Sequence, residues 1–130
     1  MQLPAPLGQS VAVPYPESVG GITLAVVTPI YGPVVTPNLT LGSSFTITAT
    51  DGVAFQVANP IGALQQGSTN RISITIKNAS GGVLGAVTWG TAYKQAGSFA
   101  AGNGQRRSAQ FEFDGTNWVL IAGPTGDIPN

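Results

Sequence analysis

From about residue 38 onward the chain is a series of short runs in which apolar and polar residues alternate, separated by turn residues. In "FTITATDG" Phe45, Ile47 and Ala49 share one face and Thr46, Thr48 and Thr50 the other, before Asp51-Gly52. "VAFQVANP" brings Val53, Phe55 and Val57 into phase, and "RISITIKN" sets Ile72, Ile74 and Ile76 against Arg71, Ser73, Thr75 and Lys77. "GVLGAVTWG" carries Val83, Leu84, Val87 and Trp89, and "RSAQFEFDG" and "NWVLI" close the series. A period of two marks a strand with one buried face. Turn signals every ~8–12 residues mark a sandwich or barrel. No window keeps apolar residues at helical period for more than a turn, so no helix of consequence is expected. The expected fold is all-β: a single antiparallel β-sandwich, jelly-roll-like, over residues 38–124, with a C-terminal tail at 125–130.

Residues 1–37 have another texture. They hold seven of the ten prolines and one charge, Glu17. Pairs such as Pro4/Pro6 and Pro14/Pro16 fix φ and disfavour helix, so an extended arm is expected. The arm is too apolar for a solvated tail, as Ile22-Thr23-Leu24-Ala25-Val26-Val27 and Val34-Val35 show. It is expected to dock on a neighbouring subunit, and a segment of this length spans on the order of 100 Å when extended.

Near the C-terminus, "GQRRSAQFEFDGTNWVLI" (104–121) predicts a hairpin turning at Asp114-Gly115-Thr116-Asn117. Alternation puts Arg107, Ala109, Phe111 and Phe113 on one face and Arg106, Ser108, Gln110, Glu112 and Asp114 on the other. Arg106 and Arg107 therefore diverge and form no bidentate clamp. Arg106 is expected to pair with Glu112 or a cross-strand partner, and Arg107 to reach solvent or an interface. The outgoing Trp118-Val119-Leu120-Ile121 is apolar on both faces, which predicts burial on both sides, inside the sandwich or against another chain.

Composition narrows the function. The 130 residues include no cysteine and no histidine, so thiolate metal sites, disulfides and the commonest general base are missing. Charged residues are 8% of the chain, net charge is zero and mean hydropathy is +0.21. A charge-poor surface favours self-association. Five basic residues make no phosphate-binding stripe, so nucleic acid is not an expected partner. No apolar run approaches the ~20 residues of a membrane-spanning helix. No secretory leader is expected, since the first basic residue is Arg71.

Catalytic chemistry has little to build on. Acids in the body are Asp51, Glu112, Asp114 and Asp127, and Asp51 and Asp114 occupy turn positions. A small hydrolase would need Glu112 and Asp114 as its pair. The glycine-rich stretches lack the Gly-Lys-Ser/Thr of a phosphate loop, and no cofactor is expected. A sugar site has more material: Trp89, Tyr93 and Trp118 for stacking, with Asn103, Gln105 and Asn117 for hydroxyls. The default for such aromatics is core or interface.

The run "RISITIKNASGGVLGAVTWGTAYKQAGSF", followed by "QRRSAQFEFDGTNWVLI", resembles small all-β domains in virion proteins of tailed bacteriophages. Those domains occur as capsid decoration or cement proteins, head fibres and fibre tips. The likeness covers residues 45–122, and "VTWGTAYK" and "FDGTNWV" are its most distinctive pieces. It implies a non-enzymatic capsid decoration protein on the virion exterior, a homotrimer whose arm binds the major capsid protein. The arm residues expected to grip the capsid are Val11, Val13, Tyr15, Ile22, Leu24, Val26, Ile30 and Tyr31. Those expected at the self-association surface are Trp89, Phe111, Trp118 and Leu120. The alternative is a tail-associated or fibre-tip module that binds a host glycan.

Overall fold

The computed structural model describes residues 26–64 and 70–130. Among these, the strands are β1 (Val34–Val35), β2 (Ser44–Ala49), β3 (Phe55–Val57), β4 (Arg71–Asn78), β5 (Val87–Trp89), β6 (Tyr93–Lys94), β7 (Gln105–Phe113), β8 (Trp118–Ala122) and β9 (Ile128–Pro129). A six-stranded sheet runs β2-β4-β7-β8-β6, with β9 also on β7, and a three-stranded sheet runs β1-β3-β5. The two sheets pack on one hydrophobic core, so the fold is the all-β sandwich that the alternation predicts.

Burial follows the period of two closely. β2 and β4 alternate residue by residue, burying Phe45, Ile47 and Ala49, and Ile72, Ile74 and Ile76. Ala109 and Phe111 of β7 extend that inner face. Val35, Phe55, Val57 and Leu84 meet it from the other side. Each large apolar side chain so buried contributes about 1.5–3 kcal/mol. The outer face of the large sheet is a hydroxyl ladder, with Ser73 Oγ donating to Ser44 Oγ at 3.3 Å and Thr75 and Ser108 hydroxyls 2.7 Å apart.

Strand polarity differs from the antiparallel expectation, and the difference defines the architecture. β1, β3 and β5 are all parallel. β2 and β4 are parallel too, and a parallel bridge joins Val27 to Phe45. The chain passes from the large sheet to the small one and back three times: Val27 to β1, β2 to β3, β4 to β5. Each pass stacks in register on the one before, as in Val35↔Val57↔Trp89. The N-terminal half is thus a short parallel β-helix of three coils. Among the described residues, antiparallel pairing enters only with β7, which lies between β4 and β8, and with β9.

Turn chemistry explains the coils. The turn expected at Asp51-Gly52 is a corner that sends the chain to the other sheet. The Asp51 carboxylate accepts from Val53 N at 3.1 Å, and Gly85 N of the next coil donates to Gly52 O at 2.9 Å. Gly90 serves a second corner: a Cβ there would collide with Asn59 of the coil below, whose Oδ1 accepts from Ala92 N at 2.9 Å. The hairpin over β7 and β8 turns where its sequence predicts, with Asp114 Oδ1 accepting from Thr116 N and Asn117 N at 2.9 and 2.7 Å. Those two N–H groups, that of Asn117 foremost, lower the Asp114 pKa.

Both expected boundaries move outward. Residues 26–37 belong to the body, since β1 pairs with β3 and Val35 and Pro37 are fully buried. Val35 continues the inward-facing column begun by Val57, which outweighs the extended bias of the flanking prolines. The tail at 125–130 is also stitched down. β9 pairs with β7, Asn130 N donates to Gly104 O at 3.0 Å, and Asp127 accepts from Arg107 Nε at 2.7 Å.

The Arg107 guanidinium holds the Asp127 carboxyl below its ordinary pKa, helped by the Gly102 N–H. A depressed carboxyl pKa stabilises the fold above the ordinary carboxylate range and loses that contribution as pH falls through the folded value. The C-terminal latch is therefore expected to hold at neutral pH and loosen in strong acid. Amide exchange of Ile128 and Asn130, corrected for intrinsic rates, measures this. The Asp127→Asn variant should lack the pH dependence, and protection that is constant into strong acid would contradict it.

Candidate docking site

Among the described residues, β1 is the edge strand of the small sheet, and β2 carries only the Val27 bridge on its outer side, so the first coil forms one end of the stack. Val26, Ile30, Val34 and Leu41 stand exposed there, at 60%, 91%, 56% and 61%. A groove of about 450 Å³ runs between Val27, Pro29, Tyr31, Val34, Thr36 and Leu41. Stacked folds close their ends with polar caps. Among the described residues this end is apolar and its backbone edge has no strand beside it, both properties of a surface built to be covered.

Tyr31 fixes the rim. Its ring packs edge-on against Phe55, with centroids 5.3 Å apart and an interplanar angle of 80°. Its hydroxyl donates to Asp51 Oδ1 at 2.6 Å. Burial, together with the Asp51 carboxylate, pushes the phenol up to about 12. The hydroxyl therefore stays protonated at neutral pH and serves as a donor that ties the first coil to the corner of the second.

Of the arm residues expected to grip a partner, Val26, Ile30 and Tyr31 come together at this end. Val11, Val13, Tyr15, Ile22 and Leu24 lie outside the described residues. Val34 and Leu41 join the exposed set, and neither stands out in the sequence. Val34 reads as half of an apolar pair, and Leu41 as a neighbour of turn residues.

Of the expected self-association residues, Phe111 and Trp118 belong to the core, and Trp89 and Leu120 pack against it partly buried. Phe111 is fully buried and Trp118 is 6% exposed, while Leu120 packs partly buried against the same cluster. Half-buried Trp89 contacts Tyr93, Phe99 and Phe111 at centroid distances of 4.9, 4.6 and 5.3 Å. Alternation turns Trp118 and Leu120 inward beside Phe111, while Ile121 on the other face is 42% exposed, so β8 is not buried on both sides as its sequence suggests. Of the three rings considered for sugar stacking, Trp89 and Tyr93 pack on each other and Trp118 packs on Phe113 with centroids 5.1 Å apart.

The four charges near the hairpin disperse. Arg106 and Arg107 do face opposite ways, as their registers with Lys77 and Ile76 show. Glu112 pairs with Arg71 across the strands at 3.2 Å, and not with Arg106. Six residues along one strand separate Arg106 and Glu112 by ~20 Å. Arg106 instead stands opposite Lys77, and its Nε is buried without a hydrogen-bond partner. Compared with known proteins, the chain matches no family model, no curated protein and no solved structure.

Proposed function

We propose that this chain is a non-enzymatic virion structural protein: a decoration or cement protein on the outer capsid lattice of a tailed bacteriophage. It is held there by its N-terminal end, the arm included, and assembles as a homotrimer. One observation carries the attachment reading. Among the described residues, the exposed apolar side chains Val26, Ile30, Val34 and Leu41 gather at the end of the coil stack nearest the N-terminus. The scarcity of charge supports a life among other subunits. The capsid as partner rests on the likeness of residues 45–122 to virion domains. Burial of Ile30, Val34 and Leu41 against the lattice supplies the affinity, and edge pairing supplies the register.

The experiment is attachment to purified heads that lack this protein. A cut through residue 37 would take Val35 and Pro37 out of the core, so the truncation stops at residue 25. The shortened chain is expected to keep its strand spectrum and to bind heads at least ~10-fold more weakly, a loss of 1.4 kcal/mol or more. Attachment at full strength would overturn the proposal.

A further inference from the structure

We propose that Lys77 and Arg106 form a binding site for a dianionic tetrahedral oxyanion, phosphate or sulfate, on the outer face of the large sheet. The site lies on the sheet face and not at the coil end, so it does not depend on the virion reading. The first argument is the disposition of charge. Arg71 pairs with Glu112 at 3.2 Å and Arg107 with Asp127 at 2.7 Å. Lys94 donates to Thr91 O at 3.2 Å. Asp51 accepts from the Tyr31 hydroxyl and Val53 N, and Asp114 from the N–H groups of its own turn. These are all four acids of residues 26–130. None is left for Lys77 and Arg106, and neither forms an ion pair among the described residues.

The second argument is register. Lys77 of β4 stands directly opposite Arg106 of β7, with Thr48 of β2 beside Lys77 and Ile128 of β9 beside Arg106. Side chains directly opposite on an antiparallel pair have Cβ atoms ~5 Å apart, and like charges placed there repel. Both cations are half-buried, and Arg106 Nε is buried without a hydrogen-bond partner. A cation that has lost part of its water and lacks a counter-charge destabilises the fold. A dianion between the two heads answers both charges, whereas a single carboxylate answers one. The terminal guanidinium nitrogens offer it a planar fork, and the ammonium offers a point charge.

The third argument is the neighbouring row of the same face. Thr75 and Ser108 lie two residues along their strands, ~7 Å away, opposite each other with hydroxyls 2.7 Å apart. With Ser73, Gln110 and Thr125 they line a cleft of about 420 Å³. These side chains are all uncharged hydrogen-bonding groups, suited to the polar remainder of a phosphate or sulfate ester. Two cations suffice for one oxyanion and are too few for a nucleic-acid backbone.

Titration of the full chain with sodium phosphate at constant ionic strength, followed by amide chemical shifts, tests the site. At about pH 8, where phosphate carries close to two negative charges, saturable shifts are expected at Lys77, Arg106, Thr75 and Ser108. Acetate should bind at least ~10-fold more weakly, since it carries half the charge. Lys77→Gln and Arg106→Gln should each weaken phosphate binding at least ~10-fold. Arg71→Gln, on the same face but already paired, should leave it unchanged. Melting temperatures of the two variants in phosphate-free buffer should not fall below that of the parent, because each removes the like-charge repulsion. Tighter binding of glucose 6-phosphate than of phosphate would support an ester as the ligand, and equal binding the free ion. Shifts that grow linearly and equally with phosphate, acetate and chloride would overturn the proposal. Saturable phosphate binding that survives in both variants would overturn it too.

Discussion

Replacing Phe111 with alanine is expected to lower the melting temperature more than any other single truncation in the hairpin. The ring is fully buried and touches Trp89, Tyr93 and Phe99, with centroids 5.3, 5.4 and 6.4 Å away. On the neighbouring strand it stands opposite Ile72. It therefore joins three parts of the chain: the third coil, the hairpin, and the segment around Phe99. Truncating a buried phenylalanine costs about 3–5 kcal/mol, because lost contacts and the remaining cavity add. A domain of this size holds roughly 5–15 kcal/mol in total. The melting temperature should fall on the order of 15 °C, followed by far-ultraviolet circular dichroism. Phe113, two residues along the same face, is 36% exposed, and its alanine variant should lose less than half as much. Equal losses would mean that the cluster is not the centre of the hairpin's packing.

The second large effect is expected at Asn78, a fully buried polar side chain at the end of β4. Its amide group donates to Gly82 O at 2.8 Å and to Ala101 O at 3.0 Å. Its carbonyl oxygen accepts from Ser80 N at 3.0 Å and Ser80 Oγ at 2.6 Å. Its backbone oxygen takes Gly104 N and Asn130 Nδ2 at 3.2 and 3.0 Å. One residue thus joins the 79–82 turn, the 101–104 loop and the C-terminus. Asn78→Leu keeps much of the volume and strands Ala101 O and Ser80 N, while Ser80 Oγ still donates to Gly82 O at 3.2 Å. Each buried group left unpaired costs about 1–3 kcal/mol, so the loss should reach on the order of 3 kcal/mol in denaturant titration. Ser80→Ala, which removes one hydroxyl, should cost about a third of that. A leucine variant as stable as the parent would show that the turn and loop find other partners.

These two sites also show what the chain discloses about itself. The alternation in β2, β4 and β7 is legible because one face of each strand is buried and the other wet, so every second residue carries the signal. The hairpin at Asp114-Gly115 is legible because local hydrogen bonds build it. The coils are not. Their spacings run from 18 to 23 residues and then to 29 for Phe45 to Ile74 and 32 for Gln56 to Thr88. No fixed period reaches the eye. An Asp-Gly corner and an Asp-Gly hairpin look alike until it is known which strand the next segment pairs with.

The candidate site was legible in part for the same reason. Val26, Ile30 and Tyr31 stand out as apolar residues among prolines, and they do meet at one end. Trp118 and Leu120 suggest an interface because a strand that is apolar on both faces does not show which face turns to the core. Asn78 gives no sign in the sequence. A buried amide is marked only by the carbonyls around it, and Gly82 and Ala101 supply those from their backbones.

The central claim, a virion part attached by its N-terminal end, is most directly tested by an electron cryomicroscopy map of the purified particle. The expected result is a small β-body repeated on the outer head at the copy number of the lattice, with Ile30, Val34 and Leu41 toward the capsid. Density confined to the tail, or a particle without the protein, would contradict it.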